Sequence, residues 1–221
     1  MKLTAYKYGD TLLPEKMAFK TGRDGVKLPI SLLFFLIETK GRKILVDVGC
    51  DTMPGFELLQ HKIPVDVLEE SGINREDITD VIITHAHHDH IDSLRYYENA
   101  TVYIHLEELE KAENYLPERV QVIAISGDTE IEENVVIKPI CGHSRGSCIV
   151  IIDQNVVLCG DECYMRENLT KNIPTASSFN KENSREFTEE YRKDFYNTIL
   201  FHDPDLVEKI GSKILYERGD V

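Results

Sequence analysis

Hydrophobic positions along this chain fall mostly in short, β-branched runs separated by turn residues, with fewer stretches of helical spacing. Asp80-Val81-Ile82-Ile83 has the length and composition of a buried strand. Residues 31–38 and 43–48 predict two more strands, joined by a hairpin-like turn at Thr39-Lys40-Gly41-Arg42. Residues 3–8 alternate weakly and predict an edge strand. Further strands are expected at 101–104, 120–125, 135–140, 147–152 and 155–159, the last two joined by a tight reversal at Asp153-Gln154. Helical spacing marks 65–70, one turn after Asn74 as N-cap, 92–97, 106–115, 181–194 and a closing helix over 205–215. Residues 9–30 carry Gly9, Pro14, Gly22, Gly25 and Pro29 and read as a long connection. That connection also holds Leu12, Leu13, Met17, Phe19, Leu28 and Ile30, so it packs on the core or lines a pocket.

No internal repeat, low-complexity tract or linker interrupts this pattern, which predicts a single domain over residues 1–221. A hydrophobic share of 42% against 29% charged is that of a soluble globular protein. The net charge of −14 argues against nucleic acid or an anionic membrane as partner, since their phosphates would be repelled. The most apolar stretch, 32–37, is far too short to cross a bilayer, and residues 1–8 lack the apolar core of a secretory signal. Cys50, Cys141, Cys148, Cys159 and Cys163 are odd in number and form no C-x-x-C pair. Free thiols in a reducing cytoplasm are the expectation.

The chemistry concentrates in Thr84-His85-Ala86-His87-His88-Asp89-His90, directly after the strand at 80–83. Four of the eight histidines lie within these six residues from 85 to 90. His85 and His87 are two apart, so an extended chain turns both imidazoles to one side. Asp89 and His90 follow where the chain must turn. Imidazole and carboxylate donors suit Zn, Fe or Mn better than Ca or Mg. This is the pattern of a metal site.

H-x-H-x-D-H after a hydrophobic strand closely resembles the signature of the metallo-β-lactamase superfamily. The resemblance implies an α/β fold, a four-layer αββα sandwich, with a two-metal site at one edge between the sheets. It implies that His85, His87 and His143 hold the first metal, that Asp89, His90 and His202 hold the second, and that Asp161 bridges them. His143 stands in Gly142-His143-Ser144-Arg145-Gly146-Ser147, where many relatives have Pro in place of Arg145. Asp161 and His202 each follow an apolar run, and Asp47, at another strand end, is expected to orient a ligand. His88 occupies a variable slot of the motif, and His61 and His105 read as surface residues on helix ends. Glu162 is expected to point away from the site if Asp161 points in.

Two divalent ions, zinc foremost with iron or manganese as alternatives, would share a hydroxide that attacks a small-molecule substrate, with Asp89 passing a proton to the leaving group. Residues 161–168 are further similar to the same segment of N-acyl homoserine lactonases. In those enzymes a Tyr three residues after the bridging Asp helps hold the substrate carbonyl, and Tyr164 takes that place here. The resemblance therefore implies hydrolysis of an ester or lactone. Phosphodiester or thioester hydrolysis on the same site is the alternative. A non-hydrolytic redox or sensor protein would follow if Cys141, Cys159 or Cys163 bound metal, but they read as buried, inert thiols.

Overall fold

The computed structural model describes residues 1–219. Its strands, in chain order, are β1 (Lys2–Pro14), β2 (Lys27–Glu38), β3 (Lys43–Val46), β4 (Leu58–His61), β5 (Asp80–Ile83), β6 (Thr101–His105), β7 (Gln121–Ile125), β8 (Thr129–Glu132), β9 (Val135–Pro139), β10 (Cys148–Ile152), β11 (Val156–Leu158), β12 (Asn197–Ile199) and β13 (Gly211–Glu217). The helices are α1 (Glu15–Ala18), α2 (Pro64–Glu70), α3 (His88–Ile91), α4 (Leu109–Ala112), α5 (Arg166–Thr170) and α6 (Lys181–Tyr191). One sheet runs β13-β1-β2-β3-β5-β6-β7, with β4 added to β1; the other runs β12-β11-β10-β9-β8.

Strand β2 shows why its apolar run is unbroken. Leu33, Phe35 and Ile37 face the second sheet and meet Val150, Ile152, Leu158 and Phe201. The intervening Leu32, Phe34 and Leu36 face outwards and pack with Val65 and Leu68 of α2 and with Leu94 and Tyr97. Alternation across the pleat thus buries both faces of one strand. On the far side of the second sheet, Ile149 and Val157 are covered by Leu169 of α5 and by Phe187 and Tyr191 of α6. The result is helix, sheet, sheet, helix, the expected αββα sandwich. Phe35 is fully buried at the sheet–sheet interface, edge-on to Phe201 at 4.6 Å between ring centroids. Phe35→Ala is expected to lower stability by about 3–5 kcal/mol in denaturant unfolding; a loss below about 1 kcal/mol would show that this interface is not the core.

Strand direction decides where the chemistry gathers. β3, β5, β6 and β7 are mutually parallel, and β11 is parallel to β12. β9 and β11 both run antiparallel to β10, so they point the same way. The carboxyl ends of β5 and β9 meet where the Cys148 N–H donates to the Thr84 carbonyl across the two sheets (2.9 Å). Loops leaving these strand ends converge on one edge, the usual place for a site in such sheets.

Five expectations are corrected. Residues 205–215 do not form a helix. The chain bends to 210 and then enters β13, whose backbone pairs with β1. The spacing of Leu206, Ile210 and Ile214 suggested a helix, but the open edge of β1 offers a ladder of backbone hydrogen bonds that a lone helix cannot match. β1 is therefore interior, between β13 and β2, and not an edge. Nor are residues 9–30 a loop. β1 and β2 continue as a hairpin as far as the Pro14–Lys27 pair, with a register shift at Lys7/Gly9 where β4 docks, so Gly and Pro here mark a bulge and strand ends. The helix expected at 106–115 is a 3₁₀ turn, Leu106–Glu108, followed by the single turn of α4. His61 and His105 end strands instead of helices, and His105 is buried; it also caps the 3₁₀ turn by accepting from the Glu107 N–H. Strands β4 (Leu58–His61) and β8 (Thr129–Glu132) are only four residues long and mix apolar with polar residues, too short a pattern to be expected.

Candidate metal centre

Asp47 follows β3 with φ of 57°, a left-handed conformation that Asp tolerates better than most residues. Its N–H donates to the Ile82 carbonyl, extending the parallel β3–β5 ladder by one bond and holding the carboxylate beside the start of the histidine segment. There Asp47 accepts from the Thr84 N–H (2.7 Å), the Thr84 hydroxyl (2.8 Å) and His90 Nδ1 (2.6 Å). Because the Thr84 hydroxyl donates to Asp47, it is left to accept from His85 Nδ1 at 3.1 Å. His202 Nδ1 donates to the Ser31 carbonyl of β2 at 2.9 Å. For His85, His90 and His202 the proton is therefore placed on Nδ1, and the Nε2 lone pair is free to point inward.

All seven residues singled out in the sequence come together. His85, His87, His143 and Asp161 form one group and Asp89, His90 and His202 another, each with its donor atoms within 4.8 Å of one another. In the first group His87 Nδ1 lies 2.9 Å from His85 Nε2 and 3.0 Å from His143 Nε2, and Asp161 Oδ2 is 3.5 Å from the Nε2 of both His85 and His143. A tetrahedral ion with bonds of about 2 Å has donor–donor edges of about 3.3 Å, so this set could hold one. The other oxygen of Asp161 turns the opposite way, 3.2 Å from His90 Nε2 and 3.0 Å from His202 Nε2. Asp89 Oδ2 closes that group at 3.7 and 3.8 Å from the same two nitrogens. His90 Nε2 and Asp161 Oδ1 are buried without a hydrogen-bond partner, an arrangement that a bound cation between them would satisfy. The donor set fits two divalent cations.

The electrostatics of the two groups differ. Burial holds His85 down at about 3, and it also pushes His143 well below the ordinary histidine value, so both are neutral donors. Burial opposes charge on His90 and His202 too, but there Asp161 and Asp89 outweigh it and raise both rings. Asp161 in turn is held well below the usual carboxylate range, because His90 and His202 outweigh the burial that would raise it. The second group is thus a pocket of negative potential that draws positive charge.

His88 is turned away from both groups, with Nε2 2.9 Å from the Thr52 carbonyl and Nδ1 3.2 Å from the Tyr115 hydroxyl. Glu162 also points away from the donors, as expected, but it is buried and engaged. It accepts from the Gly142 and His143 N–H groups and from Ser147. Burial pushes its carboxyl up to about 7. Glu108 was not singled out, because a Glu among helix formers reads as a solvated face; it is fully buried. No thiol joins either donor group among the described residues, and burial pushes Cys159 up to about 12 and raises Cys163 well above the ordinary thiol value.

A model of the metallo-beta-lactamase superfamily matches residues 33–201, which span β3 to β12 and six of the seven donors, with His202 one residue beyond the match. The chain belongs to this superfamily. It is a metal-dependent hydrolase of that family. A probable metallo-hydrolase of Methanocaldococcus jannaschii is 30% identical over 72% of this chain and 70% of its own length. An N-acyl homoserine lactonase of Bacillus cereus is 26% identical over 98% of both chains. Among solved structures, an N-acyl homoserine lactone hydrolase with N-hexanoyl-L-homoserine bound at its catalytic metal centre superposes with a TM-score of 0.80. It shares 22% identity, with 91% of this chain and 93% of that one covered, a likeness of fold. No helix among the described residues of this superfamily member is long and apolar enough to cross a membrane.

Proposed function

We propose that this superfamily member is a two-metal hydrolase that opens an ester or lactone, with an N-acyl homoserine lactone-like molecule as substrate. The observation that carries this reading is a cavity of about 270 Å³ with the His/Asp donors as its floor. Its walls are Leu13, Met17, Ile30, Met53 and Phe56, the first three from the β1–β2 hairpin and α1. A molecule with an apolar tail and a carbonyl at one end fits that division. No lysine or arginine lines the cavity among the described residues, which favours a neutral ester over a phosphodiester anion.

The roles follow from position. His85, His87, His143 and Asp161 would hold one ion; Asp89, His90, His202 and the second Asp161 oxygen would hold the other, with Asp47 orienting His90. Zinc is the expected metal, since four-coordinate imidazole and carboxylate sets suit it best. Divalent cations there supply an activated water nucleophile at neutral pH and polarise the carbonyl under attack. The Tyr164 ring lies against His143 and His202 (centroids at 5.8 and 5.9 Å), and its hydroxyl accepts from Ser177 at 3.0 Å. Burial raises the phenol well above its usual value, so the O–H stays protonated and free to donate to a developing oxyanion. Asp89, beside the cavity, is placed to carry a proton to the leaving oxygen. Residues 1–221 would act as one hydrolase domain, in the cytoplasm, where its five free cysteines stay reduced.

The test is hydrolysis of N-hexanoyl homoserine lactone, a phosphodiester and a thioester by zinc-reconstituted protein, with His87→Ala as control. Lactone turnover that disappears in the control is expected. Tyr164→Phe is expected to lower kcat/KM by about ten- to a hundredfold while zinc content stays at the wild-type level. Turnover of the phosphodiester or thioester alone would overturn the lactone reading and leave the metal centre standing.

A further inference from the structure

Two buried carboxylates that touch no substrate cavity lie behind the first donor group, and one of them links two separate donor loops. Glu108 Oε2 accepts from the N–H of Ala86, the residue between His85 and His87 (3.0 Å). Its Oε1 accepts from the Ser144 hydroxyl (2.7 Å) and the Gly146 N–H (2.9 Å), on either side of Arg145 in the loop that begins with His143. Burial disfavours its charge, yet the three donated bonds outweigh burial and keep the carboxyl below its usual range. On the other flank, Glu162 accepts from the N–H groups of Gly142 and His143 and from the Ser147 hydroxyl.

The glycines of this loop fit the same purpose. A Cβ on Gly146 would lie 2.9 Å from Glu108 Cγ and 2.6 Å from His105 Nδ1; one on Gly142 would lie 2.3 Å from Glu162 Oε2. Each glycine stands where a carboxylate must pass close to the backbone. The loop is thus slung between two buried carboxyl groups, and its sequence Gly-His-Ser-x-Gly-Ser supplies the donors and the clearance.

We propose that Glu108 is a positioning residue that sets the distance between the His85–His87 segment and His143, and so selectively controls metal affinity at the first donor group. This rests on reading the His/Asp cluster as a metal centre. Glu108→Gln keeps the volume. Its amide has only one acceptor oxygen, so it cannot serve Ala86 on one side and Gly146 on the other without turning an N–H₂ towards an N–H.

Zinc affinity of metal-free protein, measured against a competing chromophoric chelator, tests this in two backgrounds. In His202→Ala only the first group is complete, and Glu108→Gln is expected to weaken zinc there by about ten- to a hundredfold. In His143→Ala only the second group is complete, and the same change is expected to leave affinity as it was. Equal weakening in both backgrounds, or none in either, overturns the proposal, because a merely structural carboxylate would not distinguish the groups. If Glu108→Gln does not fold, Ser144→Ala removes one of the three bonds and must show the same selectivity at smaller amplitude. Wild-type protein that binds no zinc would overturn the metal reading itself, a result distinct from failure of the Glu108 role.

Discussion

Asp161→Ala is expected to bind at most one zinc ion per chain and to hydrolyse its substrate on the order of a thousandfold or more slowly than wild type. Asp161 turns its two oxygens to different donor groups, Oδ2 towards His85 and His143 and Oδ1 towards His90 and His202. Removing it takes an anionic donor from both groups and leaves five imidazoles with only the Asp89 carboxylate beside them to offset a cation. Losing the activation of water forfeits several kcal/mol of barrier reduction, and each 1.36 kcal/mol is about tenfold in rate. Metal analysis by mass spectrometry, together with turnover, reads both effects. Two ions retained at wild-type affinity would mean that the carboxylate does not join the groups.

The second large effect is expected from Asp47→Ala, which should lower stability by about 3 kcal/mol and weaken zinc binding at the second group. Asp47 is fully buried and takes three bonds, two from Thr84 and one from His90. Truncation leaves the Thr84 N–H, the Thr84 hydroxyl and His90 Nδ1–H without acceptors in a dry interior, where each unmet donor costs about 1 kcal/mol or more. It also frees the His90 ring to rotate and releases the Thr84 hydroxyl from its donor role, so the proton position on His85 is no longer set. Asp47→Asn keeps one acceptor oxygen and should fall between the two. Urea unfolding of the metal-free protein, paired with zinc titration, separates the stability loss from the binding loss. Stability within about 0.5 kcal/mol of wild type would show that Asp47 does not hold this corner together.

The legible parts of the protein are those whose signal is local. The strand at 80–83 and the histidine segment after it could be picked out from the residues themselves, and His143, Asp161 and His202 followed from the superfamily resemblance that this segment carries. Both faces of β2 are buried, and its continuous apolar stretch said so. The errors have a common origin. Residues 205–215 and 9–30 were misread because their partners lie far away in the chain: β13 exists because β1 leaves an edge open, and the β1–β2 hairpin extends because its two arms pair along their length. Glu108 was missed for the same reason, since a glutamate on a helical pattern looks solvated until the loop at 142–147 is brought against it.

Sequence alone was enough for the H-x-H-x-D-H segment and the strand before it, because side-chain chemistry and hydrophobic period are properties of neighbouring residues; the remaining candidate donors and the αββα layering were implied by the family resemblance that this segment carries. Tertiary structure decided which oxygen of Asp161 faces which group, which ring nitrogen of His85, His90 and His202 carries the proton, and which carboxylates brace the loops. These are relations between atoms tens to hundreds of residues apart, fixed only when the two sheets close on a shared core and bury polar groups that must then find one another.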